Sequence, residues 1–156
     1  MRFVLIDRIL ELEPGARAVA TMRFDAAHEL FADHFPGMPI VPGVLLTEAM
    51  GQTGGWLLAA TLGFESWPLL VMISNAKFRR LVRPDETLTL AASLRPGADD
   101  TFEVDTTARV GDQRVADARL VFRTFAFALA DAEREQFRNW ARDTYARLDG
   151  PALPTS

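Results

Sequence analysis

Residues 34–52 read HFPGMPIVPGVLLTEAMGQ, a stretch that predicts an irregular loop followed by the start of a very apolar helix. The three prolines of this stretch block an earlier helix start, because proline lacks an amide hydrogen and its ring clashes with the preceding turn. The helix can therefore begin only at about Pro42-Gly43, and the apolar run predicts that it ends near Gly63. A helix that is apolar on all sides is normally buried in a core. We expect the rest of the chain to wrap around it.

The residues on either side of this helix predict β-strands. Residues 3–12 and 16–24 predict a hairpin, because the Glu-Pro-Gly sequence between them favours a tight turn. Residues 69–82 predict one long strand that bends around Ser74-Asn75. The first half of the chain thus predicts two strands, a buried helix and a third strand.

The second half of the chain alternates apolar and polar residues, which is the pattern of strands with one buried face. Turns are expected at 96–100 and at Gly111-Asp112. Three antiparallel strands are therefore predicted here. The side chains expected on their buried face are Leu88, Leu90, Ala92, Leu94, Phe102, Val104, Thr106, Ala108, Val110, Ala116, Ala118, Leu120 and Phe122.

From about Asp131 to Leu148 the apolar residues recur at helical spacing, which predicts a second, amphipathic helix. In this order the elements predict an α+β protein with the hot dog fold, an antiparallel sheet wrapped around a long central helix, plus a C-terminal amphipathic helix. We divide the chain into a main domain at 1–128, a helical extension of that domain at 129–149 and a flexible tail at 150–156. Such a sheet leaves an edge strand and one face uncovered, so a homodimer is the expected minimum.

Composition excludes several functions. The net charge of −4 argues against a nucleic-acid binder. The absence of cysteine excludes disulfides and thiolate metal sites and suits a reducing cytoplasm, where we expect the protein to act. Residues 44–62 are long enough to cross a bilayer, but Glu48 and Gln52 would then lie in hydrocarbon, so we expect a buried core helix and no membrane partner.

Four motifs resemble those of the FabZ-type 3-hydroxyacyl-acyl carrier protein dehydratases. They are Leu5–Arg8, 34–45, Glu48-Ala49-Met50-Gly51-Gln52 and Ala76-Lys77-Phe78-Arg79-Arg80, and the similarity covers about residues 3–124. The resemblance implies that the 1–128 domain is dehydratase-like and converts a 3-hydroxyacyl thioester on acyl carrier protein to the trans-2-enoyl thioester, in fatty-acid or related specialised, polyketide-like biosynthesis. It implies a homodimer that can assemble into a trimer of dimers. No metal or other cofactor is expected, since the substrate arrives on the carrier's phosphopantetheine.

The resemblance also implies that His34 and Glu48 are the catalytic pair, supplied to each site by opposite subunits of a dimer, with an acyl tunnel along the subunit interface. The residue types fit this chemistry. His34 fits the base that removes the weakly acidic proton next to the thioester, and Glu48 fits the general acid at the leaving hydroxyl. Gly43, with Val44, fits the oxyanion and substrate-binding position, because amides at a helix N-terminus lack intrahelical partners. Gln52 lies four residues after Glu48 and is expected to orient it or a water molecule.

Two further sets of residues are less specific. Lys77, Arg79, Arg80 and Arg83 form a basic cluster that is either a solvated strand face or a docking site for acidic acyl carrier protein. Phe31, Phe35, Met38, Met50, Trp56 and Phe64 are candidates for the tunnel lining, although large apolar residues near a central helix are more often ordinary core. His28 lacks motif context and is expected to be structural.

Two alternative functions remain open at this stage. A hot dog acyl thioesterase can also place a carboxylate on the central helix, although it does not need His34 in its Phe-Pro-Gly context. A non-catalytic acyl-carrier-binding dimer could keep the motif for packing. The chain departs from the family pattern at Asp33, Ser74 and Leu81, where the family usually has glycine, aspartate and proline. These departures suggest either a specialised pathway with a polyketide-like or modified acyl product, or a loss of activity.

Overall fold

The computed structural model describes residues 3–95, 97, 101–124 and 130–153. The order of its elements agrees with the predicted order, and a short 3-10 helix is added at Glu29–Ala32. The strands and helices are β1 (Arg8–Glu13), β2 (Arg17–Met22), α1 (Gly43–Thr61), β3 (Pro68–Phe78), β4 (Leu88–Arg95), β5 (Thr101–Val110), β6 (Gln113–Thr124) and α2 (Asp131–Arg147).

The six strands form a single antiparallel sheet in the order β1-β2-β4-β5-β6-β3, so β1 and β3 are its edges. Helix α1 contacts every strand of this sheet and forms the centre of the core. Ten of the thirteen side chains expected on the buried face are buried, whereas Leu94, Phe102 and Val110, near strand ends, are half-buried. The predicted hot dog architecture and its C-terminal helix are confirmed.

Helix α1 approaches the sheet closely at Gly54. A Cβ atom at this position would lie 3.3 Å from two ring carbons of Phe122 and 3.3 Å from Cγ1 of Val104. Both neighbours are fully buried core residues of β6 and β5, so they have little room to move. The absence of a side chain at Gly54 therefore allows the helix and the sheet to come together.

Two strand boundaries differ from the predicted ones by four residues or more. The first strand begins at Arg8 rather than Phe3, because hydrogen bonds tie the chain before it to α1, as described below. The third strand ends at Phe78, four residues before the predicted end. Its predicted bend is confirmed: the pairing register with β6 shifts between Ser74 and Lys77, and Asn75 between them has φ 54°.

Helix α2 lies across the C-terminal end of α1. The Tyr145 ring contacts those of Trp56 and Phe64, and the Leu148 carbonyl accepts a hydrogen bond of 2.8 Å from Ile9 N–H. The Tyr145 hydroxyl donates to the Pro151 carbonyl at 2.9 Å, so the start of the predicted tail packs against α2. The predicted domain boundary at 128/129, most of the 96–100 turn and residues 154–156 lie outside the described residues.

Among the helices of the described ranges, none is both long enough and apolar enough to cross a bilayer.

Candidate active site

The N-terminus of α1 presents two backbone amides without helical partners. Leu45 and Leu46 N–H both donate to the Pro42 carbonyl, at 3.0 and 3.3 Å. The preceding amides of Gly43 and Val44 have no acceptor within the helix, and the helix dipole favours negative charge near them. The Val44 side chain is 74% exposed, so this end of the helix is accessible. Its position suits binding of a developing oxyanion.

The Phe78 side chain lies against this helix terminus. A Cβ atom added to Gly43 would lie 3.0 Å from two ring carbons of Phe78. The Phe78 ring belongs to the end of β3 and is about half exposed. Glycine at position 43 therefore allows a planar group to approach the helix terminus closely.

Glu48 lies one turn further along α1 and is held by Gln52. The Gln52 Nε2 group donates 3.0 Å to Glu48 Oε1 and 3.1 Å to the Phe3 carbonyl, while its Oε1 accepts from Leu5 N–H at 2.8 Å. All the polar atoms of the Gln52 amide are therefore engaged. Gln52 connects the N-terminal segment to Glu48 and restricts the orientation of that carboxylate.

Glu48 opens into a cavity of about 270 Å³. One wall is a single face of α1, because the lining positions recur at intervals of three and four residues. The opposite walls come from the N-terminal segment, the start of β3, β6 and α2, and they are mainly apolar. The lining residues are Phe3, Val4, Glu48, Gly51, Gln52, Gly55, Trp56, Trp67, Pro68, Leu69, Leu70, Phe122 and Trp140.

His34 lies in the loop before α1 and does not line this cavity. Its Nδ1 is 3.3 Å from the Ile40 carbonyl oxygen, and its half-buried ring is stacked on that of Phe35 with centroids 4.2 Å apart. A proton on Nδ1 would donate to the carbonyl and leave Nε2 able to accept one. The loop is closed by hydrogen bonds from Met38 N–H to Phe35 and from Ile40 N–H to His34, at 3.0 and 3.2 Å.

The structure thus brings Glu48 and Gln52 together and places Gly43 and Val44 about one turn before Glu48. Within the described part of one chain, no hydrogen bond joins His34 to Glu48. The other histidine, His28, is structural as expected: its Nδ1 accepts from Leu30 N–H at 3.2 Å, and its ring contacts Phe24 and Phe31.

The basic cluster is partly neutralised by its own ion pairs. Arg79 Nε lies 2.5 Å from Asp117, and both terminal nitrogens of Arg80 bind the Glu86 carboxylate, at 2.9 and 3.0 Å. Hydrogen bonding from Arg80 lowers the pKa of Glu86 below its ordinary value, although partial burial opposes this effect. Lys77 and Arg83 are exposed and have no ion pair with any described residue. They are the accessible charges of the cluster.

The six candidates for the tunnel lining divide between the cavity, the core and the surface. Of the six candidates only Trp56 lines the cavity; Phe31, Met50 and Phe64 are buried core, and Phe35 and Met38 are exposed. Sequence reasoning missed Trp67 and Trp140, which come from segments far apart in the chain. The i, i+3, i+4, i+7 spacing of Glu48, Gly51, Gln52 and Gly55 was the available signal for this face of α1.

Comparisons with known proteins identify the family. Residues 1–119 match the model of the FabA-like domain. The chain belongs to the FabA-like family. It is 42% identical to the 3-hydroxyacyl-[acyl-carrier-protein] dehydratase FabZ of Chloroflexus aggregans, covering 77% of this chain and 84% of the relative, and 41% identical to the FabZ of Syntrophotalea carbinolica, covering 76% and 82%.

A solved structure supports the fold independently. Cj0977 from Campylobacter jejuni, a sigma28-regulated virulence protein, superimposes with a TM-score of 0.65 at 11% identity, covering 81% of this FabA-like chain and 82% of its own. At this identity the likeness concerns the fold alone. The family match ends at residue 119, so α2 lies beyond the matched region.

Proposed function

We propose that the protein dehydrates a 3-hydroxyacyl thioester carried on acyl carrier protein to the trans-2-enoyl thioester, in fatty-acid biosynthesis. The observation that carries this proposal is the position of Glu48. Gln52 holds its carboxylate in a mainly apolar cavity, one turn from a helix N-terminus with unpaired amides. The chain that carries this site is about 40% identical to FabZ dehydratases.

The residues can perform the elimination as follows. A His34 ring nitrogen takes the proton from the carbon next to the thioester, and negative charge develops on the thioester oxygen. The Gly43 amide donates to that oxygen, which lowers the energy of the enolate-like state. The bond from the third carbon to its hydroxyl then breaks while Glu48, directly or through water, supplies the proton that lets water leave. The carbon–carbon double bond forms from the released electron pair.

We also propose that a homodimer completes each site, with His34 of one subunit facing Glu48 of the other. Two observations support this arrangement. Glu48 and His34 are not joined within one chain, and the edge strand β3 exposes large apolar side chains, with Val71, Met72 and Ile73 each about half exposed. An exposed apolar edge strand is a ready pairing surface for a second copy. A trimer of such dimers is the larger assembly that we propose.

A subunit-mixing experiment tests the shared site. His34→Ala and Glu48→Ala chains, each inactive alone, are co-expressed with different affinity tags. If the two residues come from opposite subunits, a mixed dimer has one intact site, and random pairing restores about one quarter of the wild-type activity. The singly tagged pools are the control. Activity that stays at background in the purified mixed dimer would show that the pair does not act across an interface.

Product analysis tests the reaction itself. The purified protein is given 3-hydroxyacyl and enoyl thioesters, beside His34→Ala and Glu48→Gln. A conjugated enoyl thioester is the expected product, and each substitution should lower turnover by roughly 10²-fold or more. Release of free thiol instead would support the thioesterase, and binding of carrier with no turnover would support the non-catalytic dimer.

Carrier docking is proposed at the basic cluster, with Lys77 and Arg83 as the contacting charges. Their exposure, and their lack of an ion pair with any residue in the described part of the chain, support this choice over Arg79 and Arg80, which are held in ion pairs. Lys77→Glu and Arg83→Glu should raise KM for a carrier-bound substrate and leave KM for a short pantetheine thioester unchanged. Arg142→Glu on α2 is the control with the same charge change. Equal effects on both substrates would reject docking here.

Two further properties belong to this proposal. The reaction needs no metal or cofactor held by the protein, since proton transfer and amide hydrogen bonds supply the required catalysis. The protein acts in the cytoplasm, and the lack of cysteine fits a reducing compartment. Cell fractionation followed by immunoblotting tests the location.

A further inference from the structure

Two turns of α1 beyond Glu48, the cavity meets an aromatic wall. Trp56 from α1, Trp67 just before β3 and Trp140 from α2 all line the cavity at this end. The Trp67 ring stands edge-on to Trp56, with centroids 5.1 Å apart, and contacts the Trp140 ring at 5.6 Å. Aromatic rings in such contacts attract one another and have few rotatable bonds. We call these three side chains the tryptophan wall.

Helix α2 holds Trp140 in this wall through contacts on either side of it. Before Trp140, Arg138 forms an ion pair of 2.8 Å with Glu65. After it, Tyr145 contacts the Trp56 ring, and Leu148 accepts the hydrogen bond from β1 described above. The wall therefore depends on a helix that lies outside the region of the family match.

The dimensions of the cavity correspond to a medium-length acyl chain. Eight residues separate Glu48 from Trp56, which is about 12 Å along a helix. An extended carbon chain with bonds of about 1.5 Å and angles near 111° advances roughly 1.25 Å per carbon, so this length takes about ten carbons. The volume of the cavity is about 270 Å³. This is nearly twice that of a cavity of about 150 Å³ that binds benzene, a molecule of six carbons. The volume therefore also corresponds to a chain of about ten carbons.

We infer that Trp140 closes the acyl site and limits the substrate to short- and medium-chain 3-hydroxyacyl groups of up to about ten carbons. The inference rests on the proposed dehydratase function and assigns its substrate class. Each methylene that enters the cavity gains about fourfold in binding. A longer chain must displace the Trp140 indole or leave its end in water, so the gain stops at the wall.

The test compares chain lengths on the full-length protein. Carrier-bound 3-hydroxybutyryl, 3-hydroxydecanoyl and 3-hydroxyhexadecanoyl groups are supplied to wild type and to Trp140→Ala. The wild type should prefer decanoyl to hexadecanoyl. In Trp140→Ala, the ratio of kcat/KM for hexadecanoyl to that for decanoyl should rise about tenfold or more, as expected for an apolar pocket that is opened by a ring.

Phe137→Ala is the matched control. Phe137 lies on the same helix and contacts the Trp67 and Trp140 rings, each at 5.6 Å, but it does not line the cavity. Its loss should weaken the docking of α2 and leave the chain-length ratio within about twofold of wild type. An equal shift in both variants would assign the effect to α2 docking as a whole and overturn the role of Trp140.

A second variant tests the limit from the opposite side. A Cβ atom at Gly55 would meet nothing within 4 Å, and Gly55 lines the cavity, so the side chain of Gly55→Leu should occupy part of the cavity. It should lower kcat/KM for decanoyl relative to butyryl by about tenfold. The chain-length limit would be overturned if the wild type acted equally fast on decanoyl and hexadecanoyl groups. It would also be overturned if neither Trp140→Ala nor Gly55→Leu changed its chain-length ratio. Either result would leave the proposed dehydration intact. No dehydration of any chain would instead reject the proposed function.

Discussion

The Gln52→Leu substitution tests how the general acid is positioned. Leucine is close to glutamine in size but cannot form the three hydrogen bonds to Glu48, Leu5 and Phe3. The bond to the Glu48 carboxylate is worth about 1.5–3 kcal/mol if charged, and the Leu5 bond about 0.5–1.5 kcal/mol, while the exposed Phe3 bond contributes less. Since leucine recovers part of this free energy by apolar burial, we expect a net loss of about 2 kcal/mol in unfolding free energy.

The same change should reduce catalysis. Without Gln52 the Glu48 carboxylate is free to rotate, and the N-terminal segment that lines the cavity loses its anchor, so kcat should fall about tenfold or more. Urea unfolding at one fixed protein concentration measures stability, and enoyl thioester formation measures kcat.

Thr53→Val is the matched control for this substitution. Thr53 is the next residue of α1, and its buried hydroxyl donates only to the Ala49 carbonyl, at 2.9 Å. Its loss should cost about 1 kcal/mol of stability and leave kcat unchanged. If Gln52→Leu kept the wild-type kcat, or if Thr53→Val lowered kcat equally, the positioning role of Gln52 would be refuted.

Three further predictions concern packing, titration and metal independence. Gly55→Ala should stabilise the protein by about 0.5–1 kcal/mol, because an added Cβ meets no neighbour and alanine favours the helix. Gly54→Ala should destabilise it by about 1–3 kcal/mol, because its Cβ meets Phe122 and Val104. Urea unfolding measures both changes, and unfolding free energies that change in the same direction would contradict the prediction. Burial raises the pKa of Tyr145, the only tyrosine, to about 12. The contribution of this residue to the unfolding free energy should therefore be full below about pH 10, the unfolded pKa, and should be lost as the pH rises towards 12. Titration of the tyrosinate absorbance measures the folded-state pKa, and a midpoint at about 10 would contradict this prediction. Dialysis against a chelator should leave activity unchanged, and activity that returns only with a divalent metal would count against the cofactor-free mechanism.

Most of the fold could be predicted because its signals are local. The prolines before Gly43 allow only one helix start, and the alternation in β4, β5 and β6 identifies the buried face of each strand. The segment from Phe3 to Asp7 was different. Its apolar residues resemble a strand, but the Phe3 carbonyl and the Leu5 N–H bond to the side chain of Gln52. A side-chain partner distant in sequence leaves no mark on the local pattern.

The same limit applies to the residues that line the cavity. Met50 and Trp56 are both large apolar residues close to the motif, so nothing in the sequence distinguished them as cavity residues. In the structure they lie on different sides of α1, and of the two only Trp56 faces the cavity. Trp140 is 84 residues further along the chain than Trp56 and shares a wall with it only because α2 folds back across the end of α1. Contacts of this kind depend on tertiary packing rather than on spacing.

The division of the site between the proposed proton-transfer groups and the far wall of the cavity has a physical basis. Glu48, Gln52 and the Gly43 terminus all lie in the first ten residues of α1, and the strands around α1 fix their geometry. The far wall is instead completed by α2, which joins the core through ring contacts, the buried residues Ala141 and Tyr145, and the ion pair between Arg138 and Glu65. A change in Trp140 therefore alters the length of the cavity without moving the proton-transfer groups. Chain-length specificity can in this way vary independently of the elimination chemistry.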